Sequence, residues 1–419
     1  MSFLQWAQEH AVPVDLSANP VREIEKLNCL DDLIRNKSVV YLGEPDHFIR
    51  EKYGFQSLFI KYLTRRGWNT IGKEIGRSDG QKIDRYIKTG DERYLDLVAL
   101  YGFDGATRTD RLDFPKGRLA PRRAMDTQPF HAMELGFCRE LRTIAYAGRN
   151  NIRFVGYDID VCPGGAYEDI AAILALAQSA SCIDNIRQLL ERVPYETAQG
   201  EVARLNQAMR YLSSHGAEFQ RALGNAAFVE LKANLMCLTA SFQFVVNAFP
   251  EPTIDQLWCA FEKREQCMCS LLNDVLDKMT KNDKLILLGH NMHLSKKSHL
   301  LDSFDLCGSE VPMWPSVGSL VAQRLPQQVL SVWMLYNEGN HCGPFVGIDD
   351  NYVRRQQHSI EDLLAQIGES FILPIATAPG HVKQYLSQYQ VFGCNGEPAH
   401  GMVSEQADII AFVSQVSAL

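Results

Sequence analysis

Acid and imidazole recur in this chain directly behind short apolar runs. Glu44, Asp46, His47, Arg50 and Glu51 crowd the stretch after "VVYLG". Glu74 follows "NTIGK", Asp158 and Asp160 follow "RFVGY", and His290, Asn291 and His293 follow "KLILLG". Charged groups are costly to bury unless they are paired or used. Such a corner is therefore either solvated or part of a reaction site. Independent solvated corners would carry more Ser, Asn, Lys and Gly, and fewer His. In open α/β sheets, ligands bind outside the carboxyl ends of the strands, so the repetition points to one site at one sheet edge.

His47 is the expected general base, because imidazole titrates near neutral pH. Glu44 or Glu74 would hold the ring's other nitrogen and fix its tautomer. His290 or His293 would donate to a developing oxyanion or pass a proton to the leaving group. Arg50, three residues after His47, would bind a carboxylate or pair with Glu74. Asn291, His293 and Asp158 join it as substrate-binding candidates, whereas Asp160 reads first as a helix cap. This set describes water-activated hydrolysis of an ester and calls for no cofactor. Its rival is a divalent metal on Glu44-x-x-His47 and His290-x-x-His293. That pattern is weaker than the H-E-x-x-H helix of zinc proteases, so no metal ligand is assigned.

"GRSDG" (Gly76 to Gly80) matches the G-x-S-x-G nucleophile elbow, and Asp158 and His290 come later in triad order. Only two strand-like runs precede Ser78, however, and Lys73 and Glu74 separate it from the apolar run. Ser78 or Asp79 also reads as an ordinary helix cap. The serine mechanism thus ranks behind His47. Cys342 adjoins His341 in "GNHCGPF" and reads as a loop residue without chemistry.

The elements that must position these groups are legible in outline. "KSVVYLG" reads as a buried parallel strand. "REKYGFQSLFIKYLTRRG" reads as a helix stopped near Gly67. A second strand in "WNTIGKEIG" precedes a second helix in "DGQKIDRYIKTG". Thr107–Arg123 reads as a basic irregular loop, "TQPFHAMELGFCRELRTIAYAG" as a helix and "NIRFVGYDID" as a strand. From Gly164 to about Asp283, apolar residues recur only at helical steps. Strands return in "DKLILLG", "QQVLSVWMLY" and "ADIIAFVSQV". The expected fold is α/β: a mostly parallel central sheet with helices on both faces and an inserted all-helical subdomain. Residues 1–163 and 284–419 form the α/β core, and 164–283 the helical cap.

Bulk composition narrows the partners. The chain has 419 residues, 46% hydrophobic and 22% charged, with a net charge of −8. A duplex-binding protein needs a basic face, and no dense Lys/Arg block is present, so nucleic acid is not expected. The N-terminus lacks the basic-then-apolar pattern of a signal peptide. The most apolar stretch, "LKANLMCLTASFQFVVNAF", is interrupted by Lys232, Asn234, Gln243 and Asn247 and reads as a buried helix. No membrane association is expected, and the location is read as cytoplasmic. The 11 cysteines include no C-x-x-C pair, which fits reduced, buried thiols. The expected partner is a small ester or lactone. A non-catalytic binding protein on the same residues is the alternative, and the oligomeric state has no signature in the sequence.

The same segments resemble the erythromycin esterase family. They are "LGEPDHFIREKYGFQSLFIKYLTRRGWNTIGKEIG", "FVGYDID", "LILLGHNMHLSKK" and "VPMWPSVGSLVAQRL", with "EQADIIAFVSQ" at the end. The family's Gly-Glu-x-x-His falls on Gly43, Glu44 and His47, its next strand-end acid on Glu74. Its His-Asn-x-His falls on His290, Asn291 and His293. The resemblance implies a hydrolase that opens macrolide lactones, an activity associated with antibiotic resistance, with His47 as the base that activates water. Many members carry Thr-His-Gly where this chain has Asp46-His47-Phe48. Phe48 adds an apolar wall and Asp46 a charge beside the base, so esterase chemistry is the expectation rather than erythromycin itself.

Overall fold

A computed structural model describes residues 2–15, 20–98, 128–148, 151–159, 164–177, 180–191, 197–248, 253–303, 311–341, 352–354, 356–394 and 397–419. The loop expected at Thr107–Arg123, together with Asp160 and Cys342, lies outside the described residues. The strands, in chain order, are β1 (Val12–Pro13), β2 (Val39–Glu44), β3 (Thr70–Gly76), β4 (Arg153–Asp158), β5 (Leu285–His290), β6 (Leu301–Ser303) and β7 (Val311–Pro312). They continue with β8 (Val329–Asn340), β9 (Tyr352–Val353), β10 (Ser370–Leu373), β11 (Gln390–Cys394), β12 (Glu397–Gly401) and β13 (Ile409–Val416).

The main sheet runs β1-β10-β13-β8-β2-β5-β3-β4, with β9 added to β8. Its centre is parallel: β13 with β8, β8 with β2, β2 with β5 and β5 with β3. β2, β3 and β5 are buried at every position, as strands covered on both faces should be. The fold is thus the expected α/β class with a mostly parallel sheet. The antiparallel edge of β1 and β10, and the small sheet β11-β12-β6-β7, were not anticipated. β1, β6, β7, β11 and β12 are two to five residues long with no apolar run beyond two residues, and β10 offers only Phe371, Ile372 and Leu373, so nothing in them has a readable period.

The chain divides into two compact units. One comprises Met1–Glu74, Pro121–Arg153 and Met279–Leu419; the other comprises Ile75–Ala120 and Phe154–Lys278. The cuts fall inside β3, after Glu74, and inside β4, after Arg153. The second unit therefore takes in the Arg77–Thr89 helix as well as the long helical block. In that block, Ile170, Ile183, Ile186, Leu205, Leu231, Leu235 and Phe219 form one apolar core. The Asn225–Ala248 helix is long and apolar enough to span a membrane by length and composition alone. Leu231, Leu235 and Leu238 on it belong to that core, in line with the sequence expectation.

Two helix ends show the local logic. The Glu51–Thr64 helix is closed by Gly67, whose φ of 86° is one that glycine adopts without strain. Its N–H reaches the Thr64 carbonyl while Trp68 N–H reaches that of Leu63. The Arg77–Thr89 helix ends on left-handed Gly90. Its start corrects the sequence reading: the capping position is Gly76, and Ser78 and Asp79 lie inside the first turn.

Candidate active site

Register assembles the site. β2 pairs with β5 so that Gly43 faces Gly289 and Glu44 faces His290. β3 lies on the other side of β5, with Lys73 opposite Leu288. The polar ends of three parallel strands thus meet at one edge of the first unit, and Asn291 N–H extends the ladder to the Glu44 carbonyl at 2.8 Å. Gly43 is required by this packing. A Cβ there would lie 2.2 Å from Asn291 Oδ1.

His47 sits in the turn after β2 with 14% of its side chain exposed. Its Nδ1 is 2.6 Å from Glu44 Oε1 and its Nε2 is 3.8 Å from Glu74 Oε1. Glu44 is buried and also accepts from Lys52 Nζ at 3.2 Å and from Gln56 Nε2 at 2.6 Å. Burial alone would raise its carboxyl. The Lys52 ammonium and the His47 hydrogen bond outweigh burial and hold it down at about 2. An ionised Glu44 is acceptor-only, so His47 Nδ1 carries the proton and Nε2 is left basic.

Glu74 is fixed by the next strand. His290 N–H donates to its Oε2 at 2.7 Å, and His293 Nε2 lies 3.1 Å from its Oε1. His290 is turned inward: Nε2 donates to the Pro45 carbonyl at 3.0 Å and Nδ1 accepts from Met292 N–H at 3.3 Å. Burial, followed by the charge of His47, pushes its imidazole down to about 4, so it is neutral at physiological pH. Its ring centroid is 5.4 Å from that of His47 and 6.4 Å from that of His293. His47, Glu44, Glu74, His290 and His293 are therefore brought together.

The other candidates fall differently. Asn291 is buried, with Nδ2 on the Met334 carbonyl at 3.0 Å and with no hydrogen-bond partner for Oδ1 among the described residues. Arg50 is exposed at the start of the Glu51–Thr64 helix, and its side chain pairs with no described residue, Glu74 included. Asp158 lies in the second unit, where its carboxylate is forked by the Arg264 guanidinium. Ser78 Oγ, in the same unit, donates to Asp169 Oδ2 at 2.5 Å and accepts from Lys82 Nζ. Ser78, Asp158 and His290 each have other partners, so the triad suggested by their order is not the hydrogen-bonded arrangement present.

The partners of several buried groups were not legible. Asp46 points away from the reacting face: its Oδ1 accepts from Phe48 N–H at 2.8 Å and its Oδ2 lies 2.6 Å from His341 Nδ1. Phe48 is buried against Phe130 at 5.3 Å. Lys52 and Gln56, four apart on one helical face, were the available signal for a polar stripe inside an apolar helix. Nothing in the sequence pairs them with Glu134 or Lys73.

A divalent ion does not fit the four donors suggested by spacing. Both Glu44 oxygens are engaged by His47, Lys52 and Gln56, and both His290 nitrogens by backbone. Among the described residues no group of three or more His, Cys, Asp or Glu is arranged to hold a metal.

Three solved structures share the fold. A Bacillus cereus protein has a TM-score of 0.69 at 18% identity, with 99% of this chain and 97% of that one covered. A succinoglycan biosynthesis protein has a TM-score of 0.71 at 16% identity, with the same coverage. An erythromycin esterase, EreC, solved as a mutant in its open conformation, has a TM-score of 0.63 at 15% identity, with 94% of each chain covered. No curated protein matches the sequence. The erythromycin esterase family matches residues 63–416, most of the chain. This chain belongs to the erythromycin esterase family.

Proposed function

We propose that the protein is a carboxylic ester or lactone hydrolase in which His47 activates water. The observation that carries this reading is the pairing of His47 Nδ1 with a buried, ionised Glu44 at 2.6 Å, which leaves Nε2 as a base facing Glu74. Water would lose a proton to Nε2 as its oxygen bonds to the ester carbonyl carbon. Glu44 and Glu74 would steady the imidazolium from either side. Collapse of the tetrahedral adduct would break the bond to the alkoxide oxygen, which takes the proton back from His47 or from the His293–Glu74 pair. The His290 donor is spent on the Pro45 carbonyl and His293 Nε2 faces Glu74, so His290 is assigned to shaping the floor and His293 to holding Glu74 and returning the proton.

Family membership supports ester or lactone hydrolysis as the reaction type, and a macrolide lactone is the proposed substrate class. A cytoplasmic location is proposed with it. The test is mass spectrometry of a macrolide and ester panel incubated with wild type and with His47→Ala, with the fold checked by circular dichroism. Wild type should convert a substrate to a product heavier by one water, and His47→Ala should not. A folded His47→Ala with wild-type rates would refute the assignment. Tight stoichiometric retention of a panel compound, without turnover by wild type, would favour the binding-protein alternative.

A further inference from the structure

The site rests on a buried row of alternating charge that, beyond Glu44, the ester reading does not use. Glu44, Lys52, Glu134 and Lys73 are each at most 2% exposed. Lys52 Nζ is 3.2 Å from Glu44 Oε1 and 3.6 Å from Glu134 Oε1. Lys73 closes on Glu134 Oε2, and the Tyr53 hydroxyl donates to Glu134 Oε1 at 2.8 Å. Four elements supply the row: β2, the Glu51–Thr64 helix, the Gln128–Ala147 helix and β3. Cys138, on the same helix as Glu134, is pushed up to about 12 by burial and adds no charge.

A packed apolar cluster would serve stability as well or better, because each buried ion must be stripped of its water. What the row changes is the sharing of one oxygen. Glu44 Oε1 receives both His47 Nδ1, at 2.6 Å, and Lys52 Nζ, at 3.2 Å. The two donors compete for it, and Glu134 takes part of the Lys52 charge on the far side.

We propose that Glu134 is a positioning residue of this site: it draws the Lys52 ammonium away from Glu44 Oε1 and so keeps the Glu44–His47 hydrogen bond short and the His47 tautomer fixed. The proposal rests on His47 as the base and deepens that reading. Lys73 has a separate duty, which is to balance the Glu134 charge.

Proton NMR of the whole protein tests this without any substrate. The His47 Nδ1–H resonance is the downfield signal lost in His47→Gln. In Glu134→Gln it should move upfield or broaden away, and kcat on the panel compound that wild type hydrolyses should fall about 10- to 100-fold with KM unchanged. Glu134→Gln/Lys73→Met restores charge balance in the row. Its melting temperature should recover toward wild type while the resonance stays displaced and kcat stays low. An unmoved resonance in both variants, or one that is lost and recovered together with the melting temperature, would overturn the proposal. A wild type that opens no lactone would sink the ester reading and leave the NMR result to decide on Glu134.

Discussion

His47 has a carboxylate on each side, Glu44 at 2.6 Å from Nδ1 and Glu74 at 3.8 Å from Nε2. Two buried neighbours of His47, His290 and Glu44, make the folded state sensitive to acid. His290 is held at about 4, mainly by burial and then by the charge of His47, against an ordinary 6.5. The unfolded chain therefore takes this proton first, and stability falls as pH drops from about 6.5 to about 4. Glu44, held at about 2 against an ordinary 4.5, contributes stability that is present above 4.5 and lost as pH falls toward 2. Melting temperatures measured from neutral pH downward should decline in these two windows, each corresponding to up to about 3 kcal/mol. His290→Gln should remove the upper decline, and a wild-type curve flat across the upper window would contradict a buried neutral imidazole. The Glu44–His47 pair was legible because three-residue spacing after a strand confines both groups to one turn. Lys52, Glu134 and His341 were not, because they reach the site from segments whose meeting only the fold decides.

At the scale of elements, strand register does the positioning, and three glycines show how tightly. A Cβ on Gly43 would sit 2.2 Å from the Asn291 side-chain oxygen, which can rotate at a cost. Gly43→Ala should destabilise by about 1–3 kcal/mol by overpacking. A Cβ on Gly80 would meet the Gly156 backbone nitrogen at 2.0 Å, and one on Gly156 would meet the Gly76 carbonyl oxygen at 2.2 Å. Backbone has no rotamer to yield. Thermal denaturation should therefore show a larger loss for Gly80→Ala than for Gly43→Ala, and the reverse order would contradict this packing. The central strands could be read from their unbroken apolar runs, which a parallel sheet buried on both faces demands. β11 and β12 escaped because short segments containing Gly, Pro or polar residues carry no such run, and β10 because its run is only Phe371, Ile372 and Leu373.

Across the whole molecule, each unit contains a polar cluster of its own, and the account assigns the reaction to the first. Ser78, Lys82 and Asp169 form a bonded group in the second unit, with Lys82 in the place a serine hydrolase normally gives to histidine. A fluorophosphonate probe should leave Ser78 unlabelled, and Ser78→Ala should keep full turnover. Labelling that disappears in Ser78→Ala would move the nucleophile to that unit. The α/β class and the helical block were legible from periodicity, whereas the cuts inside β3 and β4 depend on long-range packing that no local pattern records. The central claim, that His47 is the base, is tested most directly by chemical rescue of His47→Ala. Lactone hydrolysis should vanish in this variant and return in a saturable way when free imidazole is added; undiminished hydrolysis by His47→Ala without imidazole would contradict it.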